Sequence, residues 1–172
     1  MIIPNVNNNA YTRYLGSLKK NAVPLISWGF SASYQSEIKN IVLDSNKILN
    51  LAHNQKWKNE TEWDFKNKLE EKVILITDAK LNIVFASHNM NKMNGYVEKE
   101  VLGKTPKMFQ GTGTILATSS LIREAIALKQ PFEYQVLNYK KNGKPYYCNI
   151  EGFPVFNNKG DLVNFIAFEE AA

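Results

Sequence analysis

Five short β-type runs, two before a helical block and three after it, constrain this chain more than any other feature. Val73-Ile74-Leu75-Ile76-Thr77 is a compact apolar run closed by Asp78-Ala79-Lys80. Ile83-Val84-Phe85-Ala86-Ser87 follows after a short turn, so the pair reads as a hairpin. Short helical pieces are expected near 89–94 and 98–102, ended by Gly95 and Gly103. Leu116, Ser120, Leu121, Ala125, Ile126 and Leu128 mark a longer helix that stops at Gln130-Pro131. Three more strands are predicted over 132–139, 145–156 and 162–169. Asn142-Gly143 and Lys159-Gly160 are the turns between them, and Asn-Gly is the strongest short hairpin signal in the sequence. Helices gathered between two groups of antiparallel strands define an α+β fold.

Residues 1–70 have a different texture and read as an N-terminal extension, with 71–172 as the domain. Up to about Ser31 the chain is rich in asparagine and interrupted by Pro4, Gly16, Pro24 and Gly29. From about Ser33 the apolar residues Tyr34, Ile38, Ile41, Val42, Ile48, Leu49 and Ala52 recur at three- and four-residue steps. That spacing predicts an amphipathic helix over 33–53. Thr61-Glu62-Trp63-Asp64 has the form of a capping box opening a second, shorter helix, to which Trp63 and Leu69 give an apolar side. Trp28, Trp57 and Trp63 all fall in the extension, which points to burial rather than a loose tail.

Composition removes several classes of function. The net charge of +5 is spread along the chain, +3 in residues 1–70 and +2 in 71–172, with no denser cluster than Lys19-Lys20 or Lys140-Lys141. A nucleic-acid binder gathers its charge on one face, so nucleic acid is not the expected partner. The apolar runs are far shorter than the roughly 20 residues of a membrane span. Met1-Ile2-Ile3-Pro4-Asn5 lacks the form of a secretory signal, and the one cysteine, Cys148, permits no internal disulfide. A cytoplasmic location is the expectation. His53, His88 and Cys148 lack the spacing of a metal site. Gly111-Thr112-Gly113-Thr114 is not followed by the Gly-Lys-Ser/Thr of a phosphate loop, and no Gly-x-Ser-x-Gly elbow occurs, so no enzymatic activity is expected.

The element order resembles a PAS domain, a five-stranded antiparallel sheet with helices packed on one face. Thr77-Asp78-Ala79, Phe85-Ala86-Ser87, Met93-Asn94-Gly95-Tyr96, Glu100-Val101-Leu102-Gly103-Lys104 and Asn138-Tyr139-Lys140-Lys141-Asn142-Gly143 carry the likeness together, in order and at these spacings. It covers about 60% of the chain, residues 71–172. The stretch from Leu102 to Thr114 is similar to the signature loop and helix of the flavin-binding light-oxygen-voltage (LOV) branch of the family, whose motif reads Asn-Cys-Arg-Phe-Leu-Gln. Here the matching residues are Thr105, Pro106, Lys107, Met108, Phe109 and Gln110. Pro106 stands at the reactive cysteine, so the cysteinyl–flavin adduct of that branch cannot form there.

The resemblance implies a cofactor, FMN or FAD, and a set of residues around it. Lys107 replaces a phosphate-binding arginine and keeps the charge without the two-pronged guanidinium. Gln110 is retained, and Arg123 falls at a second phosphate-binding arginine. Asn138 is retained among the amides that face the ring edge. Cys148 stands where a second asparagine is expected, ten residues after Asn138. Glu169 occupies the position of a glutamine that reads the flavin edge, and a carboxylate cannot donate a hydrogen bond there unless protonated. Cys148 can equally be a small apolar filler, and Gln110 and Asn138 can equally satisfy buried backbone groups. A haem would need a histidine on the longer helix, and residues 115–130 contain none.

The sequence stops at Ala172, directly after the last predicted strand, which leads to the expectation that output passes through a signalling partner or the N-terminal helices. The apolar stripe of the 33–53 helix can pack on its own sheet or form a homodimer contact. Three functions stay open: a stand-alone sensor that binds a small ligand or flavin, a ligand-free interaction module, and a flavin redox or light sensor working without the cysteine.

Overall fold

Alternating apolar residues in the two groups of strands meet in one five-stranded sheet of order β2-β1-β5-β4-β3. The strands are β1 (Val73–Asp78), β2 (Ile83–Ala86), β3 (Phe132–Tyr139), β4 (Pro145–Phe156) and β5 (Leu162–Ala171). Every neighbouring pair is antiparallel. The last strand in sequence therefore lies at the centre, clasped between β1 and β4. The computed structural model describes residues 25–58 and 63–172, with side chains from residue 32 onward. Two units are distinguished, one up to Glu37 and one of Ile38–Ala172. The first is described only as helical backbone and the exposed start of its side chains, whereas the second holds the whole sheet.

Among the described residues six helical segments precede or join the strands: α1 (Leu25–Gln55), α2 (Phe65–Glu71), α3 (Met90–Asn94), α4 (Glu98–Val101), a 3-10 turn (Pro106–Phe109) and α5 (Leu116–Ala127). Helix α1 starts directly after Pro24 and runs through Gly29, well before the start expected near Ser33. One glycine costs a helix only about 1 kcal/mol without ending it. At the other end Lys56 takes φ 55°, and the Trp57 N–H reaches back to the Ala52 carbonyl at 3.0 Å. The predicted capping box is not what opens α2. Asp64 is its N-cap, accepting the Asn67 N–H at 3.3 Å, while Thr61 and Glu62, like the Trp28 side chain, lie outside the described residues. The last strand extends to Ala171, two residues beyond the predicted end at Glu169.

Both faces of the sheet are covered, and period-two alternation decides which side chain serves which face. Ile74, Ile76, Ile166 and Phe168 point to one side, where Ile41, Ile48 and Ala52 of α1 and Phe65 and Leu69 of α2 close a core. Val73, Leu75 and Ala86 point to the other, against Met90, Val101 and Phe109 of the short helical segments. The apolar stripe of α1 is thus divided: Ile41, Ile48 and Ala52 are buried, while Ile38, Val42 and Leu49 are exposed. The buried set shares its face with Asp44 and Ser45, at the four-residue step that a helix requires.

Polar contacts fix α1 in place. Asp44, only 4% exposed, accepts the His88 backbone N–H at 2.7 Å and hydrogen-bonds His88 Nδ1 at 2.8 Å. Lys47, one turn on, reaches Glu98 at 2.6 Å. Beyond the helix end, Trp57 Nε1 donates to Asn164 Oδ1 at 2.9 Å, and Asn164 Nδ2 donates to the Thr77 carbonyl at 2.9 Å. The indole is 3% exposed and its N–H is satisfied, as a buried tryptophan requires.

Candidate ligand cavity between the sheet and helix α5

Among the described residues helix α5 is the one long helix on the second face, and none of its residues is buried. A core helix normally sinks an apolar stripe into its sheet. Here Ile122 and Ile126 border a cavity instead, of about 100 Å³, roofed by α5 and floored by β1, β3, β4 and β5. The floor residues follow from strand register. Leu75 pairs with Ala167, Thr77 with Phe165, Gly152 with both Ala167 and Phe132, and Ile150 with Glu169, and all of them share the cavity face. Pro106, Phe109 and Gln110, at and just after the 3-10 turn, form one wall.

The structure brings four of the sequence-selected positions together: Pro106, Gln110, Asn138 and Glu169 all line the cavity. Cys148 is fully buried beside them, its Sγ 3.9 Å from Glu169 Oε2. Lys107 and Arg123 stand apart from the lining. Lys107 is exposed, and Arg123 is held on its own helix, Nε donating to the Ser119 carbonyl at 3.3 Å and Nη2 to Ser120 Oγ at 3.0 Å. The Gly111–Thr114 loop is a packing device. A Cβ at Gly111 would lie 2.5 Å from the Tyr139 ring, the Gly113 N–H donates to Tyr139 Oη at 2.9 Å, and Thr114 Oγ1 donates to the Leu137 carbonyl at 2.6 Å.

Electrostatics concentrate at one end of the cavity. Glu169 is buried without a cationic neighbour, and desolvation pushes its carboxyl up to about 7. Burial likewise raises the Cys148 thiol, helped by the neighbouring Glu169 charge, so this sulfur is a poor nucleophile. The Tyr146 phenol is also pushed up, by burial first and then by Cys148 and Glu169.

Three buried polar atoms lack a hydrogen-bond partner: Tyr146 Oη and Asn94 Nδ2 near this end, and Thr77 Oγ1 toward the opposite end of the cavity floor, where Thr77 pairs with Phe165 while Glu169 pairs with Val73. Sequence reasoning missed all three. Thr77 was within reach, since it alternates with Leu75 on the cavity side of β1. Tyr146 sits opposite Asn138 across the β3–β4 pair, a relation that the hairpin register predicts once the turn is fixed. Among the described residues no group of histidine, cysteine and carboxylate side chains could hold a metal ion.

A family model described as PAS domain matches residues 71–170, more than half of the chain. The chain belongs to the PAS domain family. Its PAS domain has LOV-like relatives among curated proteins. It is 40% identical over 88 residues to Protein TWIN LOV 1 of Arabidopsis thaliana, covering 51% of this chain and 22% of that protein. It is 36% identical over 97 residues to the blue-light-activated histidine kinase of Brucella abortus, covering 55% of this chain and 20% of the kinase. The chain thus spans about a fifth of the length of these relatives.

Solved structures agree on the fold. The light-state structure of the blue-light photoreceptor Aureochrome1 LOV superposes with a TM-score of 0.57 at 26% identity, over 62% of this chain and 85% of the other. A light-oxygen-voltage domain solved in a flavin-analogue study superposes with a TM-score of 0.59 at 22% identity, over 64% of this chain and 86% of the other.

Proposed function

We propose that this PAS domain is a flavin-binding sensory module of the LOV type that works without the cysteinyl adduct and signals through helix α1. The observation that carries the reading is the convergence of Gln110, Asn138 and Glu169, with orphaned Thr77 Oγ1, on one cavity under α5. The donor set fits a flat heteroaromatic ring with a polar edge. Gln110, Asn138 and Thr77 supply amide and hydroxyl groups, while Leu75, Phe109, Ile122, Ile126 and Ile150 supply apolar walls.

Volume is the second test of fit. A cavity of about 100 Å³ is smaller than the roughly 300–1,000 Å³ of pockets that hold such ligands. The roof can make up the difference: α5 has no buried side chain to extract, and the half-buried Phe132 ring lies across Gly152, where a Cβ would meet it at 2.2 Å. Outward movement of α5 and rotation of Phe132 open the space without breaking the sheet.

A bound flavin would supply blue-light absorption and redox chemistry. The protein's contribution is to hold the ring between α5 and the sheet, exclude water, and offer donors at the Asn138–Glu169 end. Position 106 is proline and offers no thiol for a light-driven carbon–sulfur bond, and Cys148 is not among the residues that line the cavity. The response then arises from changed hydrogen bonding at the polar edge. β1 and β5 carry it across the sheet, because Leu75, Thr77 and Glu169 face the cavity while Ile74, Ile76 and Phe168 face α1.

A second reading keeps the fold and drops the ligand. Exposed Ile38, Val42, Leu43 and Leu49 leave α1 with an apolar outer side that a second copy or a signalling partner could cover. No described helix is long and apolar enough to cross a membrane, and a cytoplasmic setting is part of the proposal. The experiment that separates the two readings is flavin reconstitution followed by spectroscopy. Stoichiometric uptake favours the sensor; a folded protein that refuses flavin and dimerises with concentration favours the interaction module.

A further inference from the structure

The least expected group in the cavity is Glu169, a carboxyl fully enclosed at the centre of the sheet. Only a long thiol contact from Cys148 favours its ionised form, and burial outweighs it. Across β4 it faces Ile150, across β1 Val73. The titratable groups around it are Cys148 and Tyr146, both of which burial holds neutral. The other polar side chains on the lining, Thr77, Gln110 and Asn138, are uncharged, and among the described residues no lysine, arginine or histidine lines the cavity. An ionised carboxylate there would be a buried, uncompensated charge, among the costliest groups in a protein interior. As a neutral acid it carries one O–H donor, while the Cys148 thiol, donating weakly to Glu169 Oε2 at 3.9 Å, occupies an acceptor oxygen and leaves that donor free.

We propose that Glu169 engages the ring ligand as a neutral carboxylic acid, donating its O–H to a carbonyl or imine acceptor on the ring edge, so that ligand uptake requires a proton on this residue and weakens in alkaline solution. The inference rests on the flavin-binding reading and adds a proton dependence to the same site. An amide at position 169 would donate at every pH; an acid donates only while protonated. Ionisation removes the donor and sets a carboxylate against the acceptor, so both effects act in the same direction. The acid thus makes the sensor's loading responsive to pH, a property that an amide would not confer.

The test is titration of flavin-free protein with FMN, read by quenching of flavin fluorescence, at about pH 6 and about pH 9, for the native chain, Glu169→Gln and Glu169→Leu. A donor that titrates near 7 predicts a loss of about tenfold per pH unit above that point, hence roughly a hundredfold between the two conditions for the native chain. Glu169→Gln is expected to bind within a few-fold of the native chain at the lower pH and to stay flat. Glu169→Leu is expected to bind weakly at both. The infrared C=O stretch of a protonated carboxyl, present in the flavin-free native chain at about pH 6 and missing in Glu169→Gln, is the ligand-independent readout. Equal pH profiles for the native chain and Glu169→Gln, or no such C=O band, would overturn the inference and leave the flavin reading standing. A folded protein that binds no FMN at the lower pH in either form would overturn the flavin reading and the inference with it.

Discussion

Replacing Glu169 by glutamine should stabilise the flavin-free protein in alkaline solution and do progressively less as the pH falls. The carboxyl ionises ordinarily near 4.5, and burial holds it neutral up to about 7. Below about 4.5 it is protonated in folded and unfolded chains alike, and burial carries no ionisation penalty. Between the two values the unfolded chain ionises first, so the folded state loses stability as pH rises. Above about 7 the loss is complete, at about 3 kcal/mol. The glutamine side chain of the variant never titrates. The stability difference between variant and native chain should therefore shift by about 3 kcal/mol in favour of the variant between about pH 4 and pH 8. With a urea slope of about 2 kcal/mol/M, that is about 1.5 M in midpoint. Taking the difference at each pH cancels the other carboxylates, whose titration both proteins share. Urea unfolding followed by tryptophan fluorescence measures it, since Trp57 is buried against Asn164. A difference that stays flat across the window would refute the reasoning, because it would mean that Glu169 is hydrated or paired in the folded state.

The remaining predictions concern the helix on the opposite face, the cavity floor and the missing thiol. Asp44→Ala removes the acceptor for two His88 groups and should cost about 2–4 kcal/mol by urea unfolding, against less than about 1 for exposed Asn46→Ala. Ile48→Ala should cost about 2–5 kcal/mol, whereas exposed Leu49→Ala should stay within about 0.5, which checks which side of α1 meets the sheet. Gly152→Ala puts a methyl 2.2 Å from the Phe132 ring and should cost about 1–3 kcal/mol, largely recovered in the Gly152→Ala/Phe132→Ala double variant. Pro106→Cys places a thiol on the cavity wall and should give the loaded protein a light-driven, dark-reversible loss of blue absorption that the native chain lacks.

Local features of the fold were legible because local chemistry sets them. The strand β1 is an unbroken β-branched and leucine run, Gly95 closes α3 at φ 85°, and Gly143 turns the β3–β4 hairpin at φ 80°. The apolar stripe of α1 was legible as a stripe but not as a division between buried Ile48 and exposed Leu49, because one period of 3.6 residues cannot say how wide the covering surface is. The Asp44–His88 pair lies 44 residues apart and left no mark on either local pattern. At the cavity, likeness to the family located Gln110, Asn138 and Glu169, since they are fixed by strand register and by the turn at Pro106. It could not locate Thr77 Oγ1 or Tyr146 Oη as unpartnered, which depends on what surrounds them in space. Nor could it foresee that Arg123 would fold back on Ser119 and Ser120.

The most direct measurement is the visible absorption spectrum of the purified protein, as isolated and after addition of FMN or FAD at about pH 6, in the dark and after blue light. The account predicts stoichiometric flavin with the sharpened bands of an enclosed ring, and no thiol-adduct bleaching in the light. A folded protein that carries no flavin and takes up neither cofactor would contradict it and return the domain to a ligand-free interaction module.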